Sequence, residues 1–277
     1  MSRAATTGLG WRRILHHDEK VMGTVVTFDL YHDYAAPMDL QPILDEAIDV
    51  LHDADDVFST YITDSPISRL RRYEIKLEQC PSLVPEVLEL CREARSISDG
   101  WFDPWSLPGG VDPTGYVKGW AAQRSLEVLR RSGICGALVN AAGDTVSFGC
   151  PQPGAAFRIG IVDPAATQTL ACIVNSPGAV ATSGVYERGG HLIDPHTGRP
   201  ASRAASATVT GADLGLADAL ATALAVAGAQ ALPLIEALDD YEALIIGYDG
   251  TAAMTSGFPV ARDPSPSPRS SRSAPPD

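Results

Sequence analysis

The chain has 277 residues, 45% of them hydrophobic and 20% charged, which is enough apolar material to bury a sizeable core in one large domain or two small intimate ones. Its 34 acidic and 21 basic residues leave a formal net charge of -13. That field disfavours nucleic acid and anionic membranes, so an anionic ligand needs a local device such as a metal ion or a helix N-terminus.

Residues 1–20 are polar, lack the apolar run of a signal peptide and read as a leader. No later stretch reads as apolar enough for long enough to span a bilayer, so a soluble, cytoplasmic protein is expected. Cys80, Cys91, Cys135, Cys150 and Cys172 form an odd set without a C-x-x-C pair. They argue against a disulfide framework or a zinc site and read as buried free thiols.

In chain order, Val21 to Tyr31 has the β-branched, aromatic alternation of a half-buried strand. Asp39 to Phe58 repeats apolar residues at three- and four-residue steps and predicts a helix, followed by a polar turn from Ser59 to Ser68. Pro85 to Ile97 predicts a second helix, closed by Asp99-Gly100. Trp101 to Tyr116 is dense in Gly, Pro and Asp and reads as irregular, and Lys118 to Ser132 as an amphipathic helix capped at Gly133. Short strands are expected at 137–140, 145–148, 157–162 and 171–174, helices at 217–227 and 232–238, and a buried strand at 243–247. Consecutive short strands after helices point to an α+β fold with much antiparallel sheet. Residues 262–277 are Pro/Ser/Arg-rich and read as a disordered tail after a domain covering 21–258.

Five constellations can carry chemistry. Asp218, Ala221 and Thr222 stand at i, i+3 and i+4, which puts a carboxylate and a hydroxyl on one helical face. Such hard oxygens suit Mg2+, although a solvent-facing aspartate and a packed threonine give the same pattern. Asp112 to Lys118 places an acid and a base around a Pro-Gly turn just before a helix, a setting that binds phosphate or simply caps a helix. His191, next to the Asp194-Pro195 turn, is a candidate general base, and equally an ordinary hydrogen-bonded histidine. Asn140 to Asp144 is a small-residue turn, while Met22 and Tyr61 offer a sulfur and a ring for a flat heterocycle, or else belong to core and surface.

In this order the stretches resemble the FAD:protein FMN transferase family, often called ApbE: MGT at Met22, FSTYITDSPISRL at Phe58, DGWFDP at Asp99, DPTGYVKGWA at Asp112, LVNAAGD at Leu138, ATSGVYER at Ala181, HLIDPHTGRP at His191 and ADALATAL at Ala217. The resemblance implies an ApbE-like, T-fold-like mixed sheet, largely antiparallel, with packed helices. It implies FAD held by Met22, Tyr61, Trp101, Phe102, Asp103, Asp112, Lys118 and the backbone near Ile193. It also implies Mg2+ on Asp218 and Thr222 with backbone oxygens of Gly115 and Ala221, and His191 near the reacting phosphate. Two departures stand out: a short segment between Asp103 and Asp112, and Asn140-Ala-Ala-Gly-Asp144 where the family commonly has Asn-Leu-Gly-Gly-Asp.

The expected reaction is Mg2+-dependent transfer of FMN from FAD to a Thr or Ser hydroxyl of an acceptor flavoprotein, with AMP leaving and with His191 and Lys118 as catalytic groups. The alternatives are a Mg2+-dependent FAD pyrophosphatase and a non-catalytic flavin-binding protein.

Overall fold

The computed structural model describes residues 12–33, 38–107, 109–184, 192–201 and 203–261. His191 and the tail at 262–277 lie outside the described residues. The chain opens on a hairpin of β1 (Arg12–Val21) and β2 (Thr24–His32), joined at Met22-Gly23 with φ of 54 and 69 degrees. The stretch read as a polar leader is therefore strand from Arg12 onward, in register with β2 from Arg12↔His32 to Val21↔Thr24. Its outward residues are charged, with Arg13 2.9 Å from Asp29 and Asp18 accepting from the Thr27 hydroxyl at 2.8 Å. Charge along a sheet edge discourages pairing with another chain, and here it also disguises the strand.

Four helices follow: α1 (Gln41–Phe58), α2 (Pro66–Arg71), α3 (Leu83–Ile97) and α4 (Thr114–Arg130). Helix α2 begins inside the expected turn and runs past its end, with the Ser65 hydroxyl accepting from the Ser68 N–H ahead of Pro66. Helix α4 begins four residues earlier than the pattern suggests. Pro113 stands at its N-cap, so Gly115 lies in the first turn and Lys118 inside the helix rather than ahead of it.

The remaining strands are β3 (Gly136–Ala141), β4 (Asp144–Gly149), β5 (Arg158–Asp163), β6 (Ala166–Asn175), β7 (Ala179–Gly184), β8 (Ile193–Asp194), β9 (Arg199–Pro200), β10 (Ser206–Gly211), β11 (Glu242–Ile246) and β12 (Ala252–Met254). Helix α5 (Leu214–Ala227) precedes β11, with α6 (Leu232–Glu236) after it in a short second turn of helix. The main sheet has eight strands in the order β1-β2-β3-β4-β7-β10-β11-β12, with antiparallel pairing throughout. Strands β4 and β7 share only two registered pairs, Thr145↔Val180 and Val146↔Ala179.

Alternation sends Phe28, Val139, Ala181, Val209 and Ile245 to one face, where they pack on Leu51 of α1, Leu126 of α4 and Leu220 of α5. Val180, Leu244 and Ile246 face the other way, under the β5–β6 hairpin (Ile161, Val174) and Phe258. The centre of the sheet is thus covered on both sides. Helices α4 and α5 cross at bare backbone: a Cβ on Gly119 would stand 2.4 Å from the Leu214 carbonyl oxygen, and one on Gly215 2.7 Å from the Tyr116 ring.

The helical run Leu214–Glu236 has 23 residues and a mean hydropathy of 1.5, long and apolar enough to cross a membrane by length and composition. That corrects the expectation that no stretch qualifies. The run is apolar because it is a core element, 67% buried against the sheet and α4. All five cysteines are free as expected, but only Cys91 is fully buried.

Candidate active site

A cleft of about 750 Å³ opens at the end of the sheet where the β1–β2 and β3–β4 turns meet the start of α4 and the middle of α5. Its lining includes Met22, Tyr61, Trp101, Phe102, Asp103, Asp112, Gly115, Lys118, Ile193, Asp218 and Thr222, stretches far apart in sequence. Ala221 is fully buried behind this wall.

Lys118 is the centre of the wall. Its ammonium contacts the Asp144 carboxylate closely and stands 3.1 Å from Asp218 Oδ2. Both carboxylates are nearly inaccessible, with side chains 3% and 6% exposed. Asp144 Oδ1 also accepts the Thr182 N–H at 2.8 Å, which ties β4 to β7 at the cleft. The Ser183 and Thr222 hydroxyls are 3.2 Å apart.

Asp112 is held rather than open. Its Oδ1 accepts from the Thr114 N–H at 3.1 Å and the Thr114 hydroxyl at 2.7 Å, while Oδ2 accepts from Arg71 at 2.9 Å. Arg71 also donates to the Gly109 carbonyl at 3.2 Å, so one guanidinium fastens the short loop between Asp103 and Asp112 to α2. Asp103 takes Arg95 at 2.8 Å and the Trp105 N–H at 2.9 Å. The Phe102 ring covers the first turn of α4, 3.3 Å from where a Cβ on Gly115 would stand.

The Trp101 ring meets His196 edge-on at 4.3 Å and carries Arg203 over its face at 5.2 Å. Met22 is fixed through its N–H, which donates to Asp55 Oδ2 at 2.9 Å, whereas Tyr61 is 93% exposed at the rim. Ala142 holds the β3–β4 turn at φ 54 degrees beside Gly143, so the turn survives the missing glycine at the expense of a strained alanine.

Sequence reasoning did not find Arg71 or Asp55. Only Asp55 left a trace, an aspartate pair late in an amphipathic helix. His191 is outside the described residues, and its placement relative to the cleft is not assigned.

The donors near Asp218 suit a hard divalent cation in part. One carboxylate and the Thr222 and Ser183 hydroxyls are hard oxygens close together, yet no group of three or more His, Cys, Asp or Glu able to hold a metal occurs among the described residues. A cation here has to complete its shell from backbone oxygens, water or a ligand's phosphates, the habit of Mg2+.

A family profile described as the ApbE family matches residues 22–108 and 106–245. This chain belongs to the ApbE family. Among curated proteins it is similar to the FAD:protein FMN transferase of Rhodobacter capsulatus, 36% identical over 155 residues, which is 52% of this chain and 29% of that protein. A second, from Vibrio cholerae serotype O1, is 36% identical over 129 residues, 43% of this chain and 39% of the relative. The matched segments thus span well under half of either relative. The ApbE fold is clear in solved structures: the flavin transferase ApbE from Vibrio cholerae has a TM-score of 0.76 at 23% identity, covering 88% of this chain and 97% of that one. The apo flavinyl transferase ApbE of Pseudomonas stutzeri gives 0.75 at 22%, covering 90% and 96%.

Proposed function

We propose that the chain is a Mg2+-dependent FAD:protein FMN transferase, moving FMN from FAD to a Thr or Ser hydroxyl of an acceptor protein with release of AMP. The observation that carries the reading is Lys118 between two buried aspartates on the wall of a cleft whose volume suits a whole nucleotide ligand. Family membership and the names of the two curated relatives support it.

Met22, Tyr61 and the Trp101–Asp103 segment receive the flavin, Ile193 contributes backbone, and Asp112, Gly115 and Lys118 lie where the pyrophosphate has to run. Asp218 and Thr222 hold the metal, with backbone oxygens of Gly115 and Ala221. When bound, Mg2+ neutralises charge on the phosphoryl oxygens. Lys118 adds a second positive charge from inside α4, with Asp144 as its partner. The acceptor hydroxyl oxygen bonds to the FMN phosphorus, the phosphoanhydride bond to AMP breaks, and the hydroxyl proton goes to a base.

His191 is the proposed base. Asp144 and Asp194 suit the role poorly, since Asp144 is ion-paired with Lys118, and Asp194 is buried, accepts the His196 N–H at 2.9 Å and lies 3.6 Å from Arg203. The test is incubation with FAD, Mg2+ and a candidate flavoprotein, read by intact-protein mass. A covalent FMN increment on the acceptor is expected. Free FMN beside an unmodified acceptor would show the pyrophosphatase instead, and unconsumed FAD despite tight binding a flavin-binding protein.

A further inference from the structure

We infer that Lys118 is a resident cation competing with the metal for Asp218, and that Asp144 is the positioning residue that draws it aside. The inference rests on the transferase reading only in that a metal is expected at Asp218.

One ammonium here serves two carboxylates that water barely reaches. Neither carboxylate is left buried without a cation, which would be strongly destabilising. A divalent ion approaching Asp218 meets that ammonium 3.1 Å from Oδ2, so like charges oppose its entry. Asp144 makes the conflict reversible. Its own position is set by the Thr182 N–H at 2.8 Å, so it cannot follow the lysine. Lys118 has the flexible stem, and it touches Asp144 as well as Asp218.

The ammonium can therefore release Asp218 without losing its ion pair. Metal entry and lysine displacement become one event, which leaves Lys118 on Asp144 with donors to spare for phosphate oxygens. Without the Asp144 charge, the lysine would settle on Asp218 and hold the metal out.

The experiment titrates Mn2+, read by electron paramagnetic resonance, into FAD-free protein. Lys118→Met is expected to bind Mn2+ about tenfold more tightly than wild type and Asp144→Asn about tenfold more weakly. Asp144→Asn keeps an oxygen for Thr182 and removes only charge. Lys118→Met strands Asp144, so where it does not fold the double variant K118M/D144N carries the test, with tighter binding than D144N expected. Shifts of opposite sign are the signature, because a merely structural role would weaken binding in both single variants. Unchanged or uniformly weaker affinity in both, with binding abolished in Asp218→Asn, overturns the lysine exchange and leaves the metal assignment standing. Undiminished binding in Asp218→Asn, or no binding in any protein, overturns the metal assignment itself.

Discussion

Replacing Gly119 by alanine adds one methyl group at the point where α4 touches the start of α5. In an exposed helix this change stabilises by up to about 1 kcal/mol, because glycine is the poorer helix former. Here the new Cβ would stand 2.4 Å from the Leu214 carbonyl oxygen, 2.7 Å from its carbon and 3.0 Å from the Gly215 nitrogen. Carbon and oxygen normally approach no closer than roughly 3.3 Å, so the helices must separate by about 0.9 Å. All three atoms are backbone, and no side chain can rotate away. Overpacking of this kind costs about 2 kcal/mol, which lowers Tm by roughly 5 °C in a domain of this size. Lys118 is the neighbouring residue and Asp218 lies on the helix being pushed, so the 3.1 Å contact between them lengthens by a comparable amount. Misplacement by 1 Å can cost up to about 100-fold in rate. Thermal and urea unfolding, with FAD turnover beside them, give the answer. A Gly119→Ala protein as stable as wild type, or more so, would refute the close crossing.

Ala142→Gly should stabilise the protein by about 1 kcal/mol in urea unfolding, since Ala142 sits at φ 54 degrees, where an L side chain is strained and glycine is not. Arg71→Ala removes the donors to Asp112 and Gly109 and is expected to raise KM for FAD about tenfold with a smaller change in kcat, measured by steady-state kinetics. Burial pushes the Cys91 thiol up to about 12. The sign is that of a suppressed thiolate, about one part in ten thousand at pH 8. Iodoacetamide followed by peptide mapping should therefore modify Cys91 last in the native protein and at an ordinary rate after unfolding.

What the sequence made legible is the set of elements whose pattern follows one-sided burial. Helix α1 and strand β2 show it, with Leu44, Leu51 and Phe58, and Val26, Phe28 and Leu30, turned to the core. Strands β7 and β10 left no such pattern. They lie in the middle of a sheet covered on both faces, and their side chains are small: β10 is Ser-Ala-Thr-Val-Thr-Gly and buried throughout. One of its hydroxyls is paired across the sheet instead, in the Thr182–Thr208 contact at 2.9 Å. Helical spacing put Asp218 and Thr222 on one face, and only the family resemblance singled them out from an ordinary aspartate and threonine. Their environment was not legible, because Lys118, Asp144 and Asp218 are brought together by helix crossing and sheet register, for which no local signal exists. The same holds for Arg71, whose partners Gly109 and Asp112 are some forty residues away.

The two registered pairs between β4 and β7 divide the sheet into an amino-terminal half, β1 to β4, and a carboxy-terminal half, β7 to β12. Asp144 and Lys118 belong to the first half and Thr182 and Asp218 to the second, so the Lys118–Asp218 and Asp144–Thr182 contacts both bridge this seam. A growing chain completes the first half long before the second exists. The cluster therefore comes into being only when the two halves close on each other, and the phosphate binding proposed for it would report a finished fold rather than an assembling one. The same geometry makes a bound nucleotide a clasp across the narrowest join in the sheet, so the amides of β4 and β7 are where a ligand should slow hydrogen exchange most.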